Sequence, residues 1–224
     1  FIAAVVEAQP GLYRPIFLAW ILAAVSTASL GILGYFGILP GAEMFTRYAR
    51  AAGAFEDPNV FGPFLTLPGI YLLYRLMTGR VAMMPAYAVP LLIIATGIFL
   101  SFSRGAWGLF GASAVMLVAC LFLQTASGLF RLRIVIMTVA AIALLILAVL
   151  VILQIPGVAE MFSARAQLAQ NYDSDRLGRF ARYGIGFMLA LEHPLGIGPL
   201  TFGQIYGEDT HNIWLKALMD YGWI

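Results

Sequence analysis

Five apolar runs dominate this chain, at roughly 15–39, 58–74, 81–102, 105–124 and 134–155. A hydrocarbon layer about 30 Å thick takes about 20 residues of helix to cross. No water reaches a backbone N–H or C=O inside that layer, so a helix, which pairs every one of them within its own segment, is the form such runs must take. Composition excludes the other use of an apolar run, as the core of a soluble domain. The chain is 62% hydrophobic and 11% charged, whereas a soluble domain carries about 25% charged residues to cover its surface. A soluble enzyme, a nucleic-acid reader and a disordered adaptor are thereby excluded. The expected fold class is all-α, a polytopic transmembrane helical bundle. Residues 1–224 read as a single membrane domain of a larger protein, incomplete at both ends, with a sixth helix opening at about Asn212 and a large outer loop at 156–211.

The charges are few, and their placement is informative. Alternating the spans puts Arg14, Arg75, Arg80, Arg131 and Arg133 on one side, and by the positive-inside rule that side is cytoplasmic. Arg47, Arg50, Arg104, Arg165, Arg176, Arg179, Arg182 and both histidines then fall on or near the outer side. Cys120 lies within an apolar run and belongs to no disulfide or metal set. Pro63 and Pro68 interrupt the second span.

Arg104, in Ser101-Phe102-Ser103-Arg104-Gly105-Ala106-Trp107, stands between two apolar runs with almost no loop. Two readings stay open on the residues alone. It is a snorkelling anchor beside Trp107, or its planar fork of donors is held for a phosphate or diphosphate. From Arg176 to Glu192, Leu177, Phe180, Ala181, Gly184, Phe187, Met188 and Leu191 follow helical spacing, with Asp173, Ser174 and Asp175 available as N-caps. On that wheel Arg176 edges the apolar stripe, Arg179 less directly, and Arg182 faces water. His193, before Pro194 at the helix end, reads as structural. His211 precedes Asn212 at the mouth of the last helix, where it can be held at the outer membrane face. Lys216 and Asp220 are spaced to pair on one helix face. Arg47 and Arg50 could guide an anionic donor, and Pro58 restricts Asp57 and starts a helix ahead of Asn59.

Taken in order, Arg50-Ala-Ala-Gly-Ala-Phe-Glu-Asp-Pro-Asn59, Ser103-Arg-Gly-Ala-Trp107, Asp175-Arg-Leu177, Glu192-His-Pro-Leu-Gly-Ile-Gly-Pro199 and His211-Asn212 resemble the O-antigen ligase and polymerase superfamily. The resemblance implies a bacterial inner-membrane glycosyltransferase whose active face is periplasmic. Its donor would be a glycan on polyprenyl (undecaprenyl) diphosphate. Its acceptor would be lipid A–core in a ligase, or another lipid-linked glycan in a polymerase. It implies no cofactor, no metal and no nucleic acid. Carried over by motif, the catalytic residues are His211, Arg104 and Arg176, and Arg50, Asn59, Arg179 and Asn212 bind the diphosphate or glycan. The competing reading from another class is a transporter or flippase of a lipid-linked saccharide, in which membrane arginines line a path rather than a reaction centre.

Overall fold

The computed structural model describes residues 2–166 and 178–224, which fall into two compact units, Phe1–Ala166 and Gln167–Ile224. In the first unit the chain forms α1 (Ile2–Ala8) and α2 (Tyr13–Tyr35), then a minimal antiparallel hairpin of β1 (Thr46–Arg47) and β2 (Arg50–Ala51). Then follow α3 (Pro58–Thr78), α4 (Met84–Leu100), α5 (Arg104–Gln124), α6 (Gly128–Ile152) and α7 (Pro156–Ala166). Five stretches among the described residues are long and apolar enough to cross a membrane: Pro10–Tyr35, Pro58–Thr78, Val81–Leu100, Arg104–Gln124 and Gly128–Ile152. The expected all-α polytopic class is what the structure shows, and both prolines of the second span sit inside a continuous α3.

Lipid tails are as apolar as leucine, so helices in a membrane associate through close packing at small residues. A Cβ added at Gly62 would lie 2.5 Å from the Ala106 Cβ, and one at Gly69 would lie 2.9 Å from the Phe110 ring, so α3 and α5 cross closely there. Gly97 of α4 meets Ala28 of α2 and Leu65 of α3 in the same manner. Phe61, Leu65, Ile94, Ala24 and Ala28 form the fully buried centre of this unit.

At the end of the bundle opposite the hairpin, Arg133 Nη2 donates to Gly79 O at 2.8 Å and Leu76 O at 3.4 Å. Arg75 Nη2 donates to Tyr87 Oη at 2.8 Å, and the Arg131 guanidinium lies 5.3 Å from the Phe122 ring centre. Those contacts explain why the last span begins at Gly128 rather than at 134. Arginines that hydropathy places before the helix are accommodated within its opening turns by carbonyls and an aromatic face.

The second unit contains α8 (Arg179–Glu192), α9 (Thr201–Tyr206) and α10 (Ile213–Tyr221). Ala190, Phe202 and Met219 form its core, with Ile185, Leu189, Leu215 and Leu218 around them. The Pro194-to-Gly198 loop clasps the end of α10: Ile197 N donates to Met219 O at 2.7 Å, and Trp223 N donates to Pro194 O at 3.0 Å. Gly196 (φ +81°) and Gly222 (φ +80°) take left-handed backbone where a side chain would strike the facing strand of the clasp.

Within the second unit, α8 packs through a face other than its apolar stripe. Phe180, Phe187, Met188 and Leu191 are exposed, and the face that packs carries Arg182, Ile185, Gly186, Leu189 and Ala190. Gly186 admits Met219 and Leu215 of α10, which selects that face. Arg182, expected to face water, is 12% exposed because Glu208 supplies its counter-charge. The expected caps Asp173, Ser174 and Asp175 lie outside the described residues, and Gly178 holds the N-cap position without a side-chain bond.

Candidate functional site

In the first unit, the α4–α5 turn is tightly specified. Ser101 Oγ donates to Ile98 O at 2.7 Å and accepts from Ser103 N at 3.3 Å, while Phe102 takes a left-handed φ of +45°. Ser103 caps α5 by accepting from Ala106 N at 3.4 Å. Trp107 Nε1 donates to Ile98 O at 3.0 Å and Phe99 O at 3.2 Å in the last turn of α4, and its ring stacks on Phe99 at 5.7 Å. Arg104 is thereby fixed as the first residue of α5, half-buried, where the N–H groups of the opening turn add positive potential to its own charge.

Arg50 supports that turn from the hairpin. It is 4% exposed, its Nε donates to Ser101 O at 2.6 Å, and its Nη2 donates to Asn59 Oδ1 at 2.9 Å. Burial, then the nearby Arg165 guanidinium, lower its pKa to about 10, with Asp57 acting the other way, so it stays charged at neutral pH. Asp57 caps α3 by accepting from Asn59 N at 2.8 Å. Arg47 faces Arg50 across the hairpin and is exposed. Arg50 and Asn59 therefore meet directly and brace the turn that leads into Arg104.

In the second unit, Asn212 caps α10, its Oδ1 accepting from Trp214 N at 3.1 Å and Leu215 N at 3.2 Å. His211, just before it, has a left-handed φ of +53°, a half-exposed ring, and its Nε2 lies 3.1 Å from Glu208 Oε1. The other Glu208 oxygen is held by Arg182 Nη1. Hydrogen bonds from His211, then from Arg182, hold the Glu208 carboxyl below its ordinary value. Lys216 joins Asp209 and lies 3.4 Å from the buried Asp220, the pairing that helical spacing had called for. Burial raises the Asp209 pKa, but bonds from Lys216 and Thr210 N leave it below its ordinary value. Arg176 lies outside the described residues, as does the Arg179 side chain.

Chemically, an imidazole that donates from Nε2 to a carboxylate has its Nδ1 lone pair free to take a proton, and the carboxylate stabilises the imidazolium that results. Glu208 was missed in the sequence. Its signal was a carboxylate three positions before His211 in Glu208-Asp-Thr-His-Asn212.

The O-antigen ligase family model matches residues 89–224, more than half of the chain. The chain belongs to the O-antigen ligase family. Among curated proteins and among solved structures, nothing matches it. Membership makes the protein a ligase- or polymerase-type enzyme of surface polysaccharide synthesis, working in the membrane on lipid-linked glycans. The matched segment takes in Arg104, Arg176, Arg179, His211 and Asn212, along with Glu208, while Arg50 and Asn59 precede it.

Proposed function

We propose that this O-antigen ligase family member is a metal-independent glycosyltransferase of the bacterial inner membrane with its active face in the periplasm. The donor is a glycan on polyprenyl diphosphate, and the acceptor hydroxyl belongs to lipid A–core or to another lipid-linked glycan. The observation that carries the reading is the His211–Glu208 pair, at 3.1 Å, before the capped start of α10. His211 Nδ1 takes the proton of the acceptor hydroxyl as its oxygen bonds to the anomeric carbon. The bond from that carbon to the diphosphate oxygen breaks in the same step, and the diphosphate leaves with the electron pair. The result is inversion at the anomeric carbon. General-base help of this kind is worth about 10²–10⁴-fold.

Arg104 and Arg176 carry the charge that develops on the departing diphosphate, as fixed donors do in an oxyanion hole. Arg179 and Asn212 bind near the glycan or diphosphate, and Arg50 with Asn59 acts on the same group or by holding Arg104. What supports the clamp is the placement of Arg104 at a helix start in a rigid turn. Lysine supplies a point charge without the planar fork. Arg104→Lys and Arg176→Lys in the full-length protein should each lose most transfer from a polyprenyl-diphosphate glycan. Near-normal transfer in both would overturn the clamp.

A further inference from the structure

The short helix α7 packs on the first unit through a single stripe. Val158, Met161, Phe162 and Arg165 follow i, i+3, i+4, i+7 spacing, which puts them on one helix face. Val158 is fully buried, and Met161 and Phe162 pack against the core of the bundle. Phe162 completes a cluster of three rings, its centre 5.8 Å from Phe99 and 5.7 Å from Trp107. The position where this stripe calls for a fourth apolar residue holds Arg165, and it is half-buried.

The carbonyls at a helix C-terminus favour an arginine in the last turn. That preference is met on any face and does not call for the packing face, where Arg165 meets like charge. It lies near the Arg50 guanidinium, which is 4% exposed and whose two hydrogen-bond acceptors, Ser101 O and Asn59 Oδ1, are neutral. Asp57 offsets part of that charge from the cap of α3. Glu160, the acidic residue of α7, is exposed and about 140° around the helix from Arg165, at about 100° per residue. Among the described residues, no ion pair includes Arg165. Like charges brought together by packing repel, and an anion bound among them turns that repulsion into attraction.

The ring cluster also sets where Arg165 sits relative to Arg104. Arg104 is three residues before Trp107 on α5, and Arg165 is three after Phe162 on α7, so each lies about 4.5 Å along its own helix from the same ring contact. Arg50 reaches the turn before Arg104 through Ser101 O. We propose that Arg165 is a further ligand for the donor's diphosphate, a guanidinium set beside Arg104 and Arg50 by the docking of α7. This rests on the reading of Arg104 as a diphosphate ligand. Arginines from two helices suit a group with two phosphates, and each planar fork takes two oxygens of one phosphate. An anionic phospholipid head group offers the same phosphate chemistry, and the test tells the two sources apart.

The test uses the full-length protein in phosphatidylcholine nanodiscs, with a polyprenyl-diphosphate glycan as donor and inorganic pyrophosphate as competitor. Losing a hydrogen bond to a charged group costs about tenfold to about a hundredfold in affinity. Arg165→Gln should lower kcat/KM for the donor and weaken pyrophosphate inhibition by that factor. It should leave the acceptor KM near wild type and the Tm unchanged or slightly higher, because the repulsion with Arg50 is gone. Arg165→Lys should recover part of the loss. Wild-type donor kinetics and pyrophosphate inhibition in Arg165→Gln would overturn the assignment. A lowered Tm in Arg165→Gln, with both Tm and transfer restored by Arg165→Met, would make the role one of packing and overturn it too. So would a response to added phosphatidylglycerol that Arg165→Gln abolishes while pyrophosphate inhibition stays at the wild-type level. Arg104→Gln separates the two readings. Pyrophosphate inhibition weakened in Arg165→Gln but not in Arg104→Gln sinks the Arg104 clamp and keeps Arg165 as a phosphate ligand, and the reverse sinks Arg165 alone.

Discussion

Replacing Arg50 with methionine tests whether this residue is a brace or a ligand. Methionine keeps the apolar stem and removes the bonds to Ser101 O (2.6 Å) and Asn59 Oδ1 (2.9 Å). Hydrogen bonds from a charged donor are worth about 1.5–3 kcal/mol each, so the gross loss is about 4 kcal/mol. Removing a buried charge returns part of this. The lowering of the Arg50 pKa to about 10 shows that burial works against the charged form. A net loss of about 2 kcal/mol remains, equivalent to a fall in Tm of about 5 °C for a domain of this size. The freed Ser101 turn no longer fixes Arg104, and a displacement of about 1 Å at a positioned group can cost about 10²-fold in rate. Arg50→Lys should fall short too, since one ammonium cannot serve both acceptors in the fork geometry. Tryptophan-fluorescence melts in detergent and glycan transfer in membranes read the two effects. Abolished transfer with an unchanged Tm would refute the brace and make Arg50 a direct substrate ligand.

Glu208→Gln should lower stability and transfer at neutral pH. The Glu208 carboxyl is held below its ordinary 4.5, so its contribution is complete above that pH and disappears as pH falls through the lowered native value. The Tm gap between wild type and variant should therefore close below about pH 4.5, and a gap constant from pH 7 to pH 3 would contradict the pairing. Lys216→Met leaves Asp220 buried without its cation and should cost about 2–3 kcal/mol, with Lys216→Met/Asp220→Asn recovering part of it in denaturation measurements. Gly62→Val forces α3 from Ala106 and should reduce folded yield and thermal stability by detergent size-exclusion and melts; a wild-type profile would contradict the close crossing.

The spans were legible because about 20 apolar residues in a row leave one structural solution. The Asn212 cap and the Lys216–Asp220 pair were legible because both rest on local helical spacing. The hairpin at 46–51 was not, since two-residue strands carry no period and its turn places Tyr48 and Ala49 at positive φ without glycine. The α8 helix carries two apolar stripes, Phe180-Phe187-Leu191 and Ile185-Leu189-Ala190, and the α10 partner rather than the local pattern chose between them. Arg50 read as a guide for the anionic donor rather than as a brace because its acceptor, Ser101 O, lies on a distant turn. Glu208 was missed for a related reason: its role depends on Arg182 from another helix as well as on nearby His211.

The most direct test of the central claim is glycan transfer by the full-length protein in membranes supplied with a polyprenyl-diphosphate glycan, with wild type beside His211→Ala and Arg104→Ala. Products are separated by size and by acceptor, with expression held equal. The account predicts transfer by wild type and its loss in both variants, with a ladder on the carrier marking a polymerase and glycan on lipid A–core marking a ligase. Unchanged transfer in both variants would remove His211 and Arg104 from the reaction, and no transfer by wild type would favour transport of the lipid-linked saccharide instead.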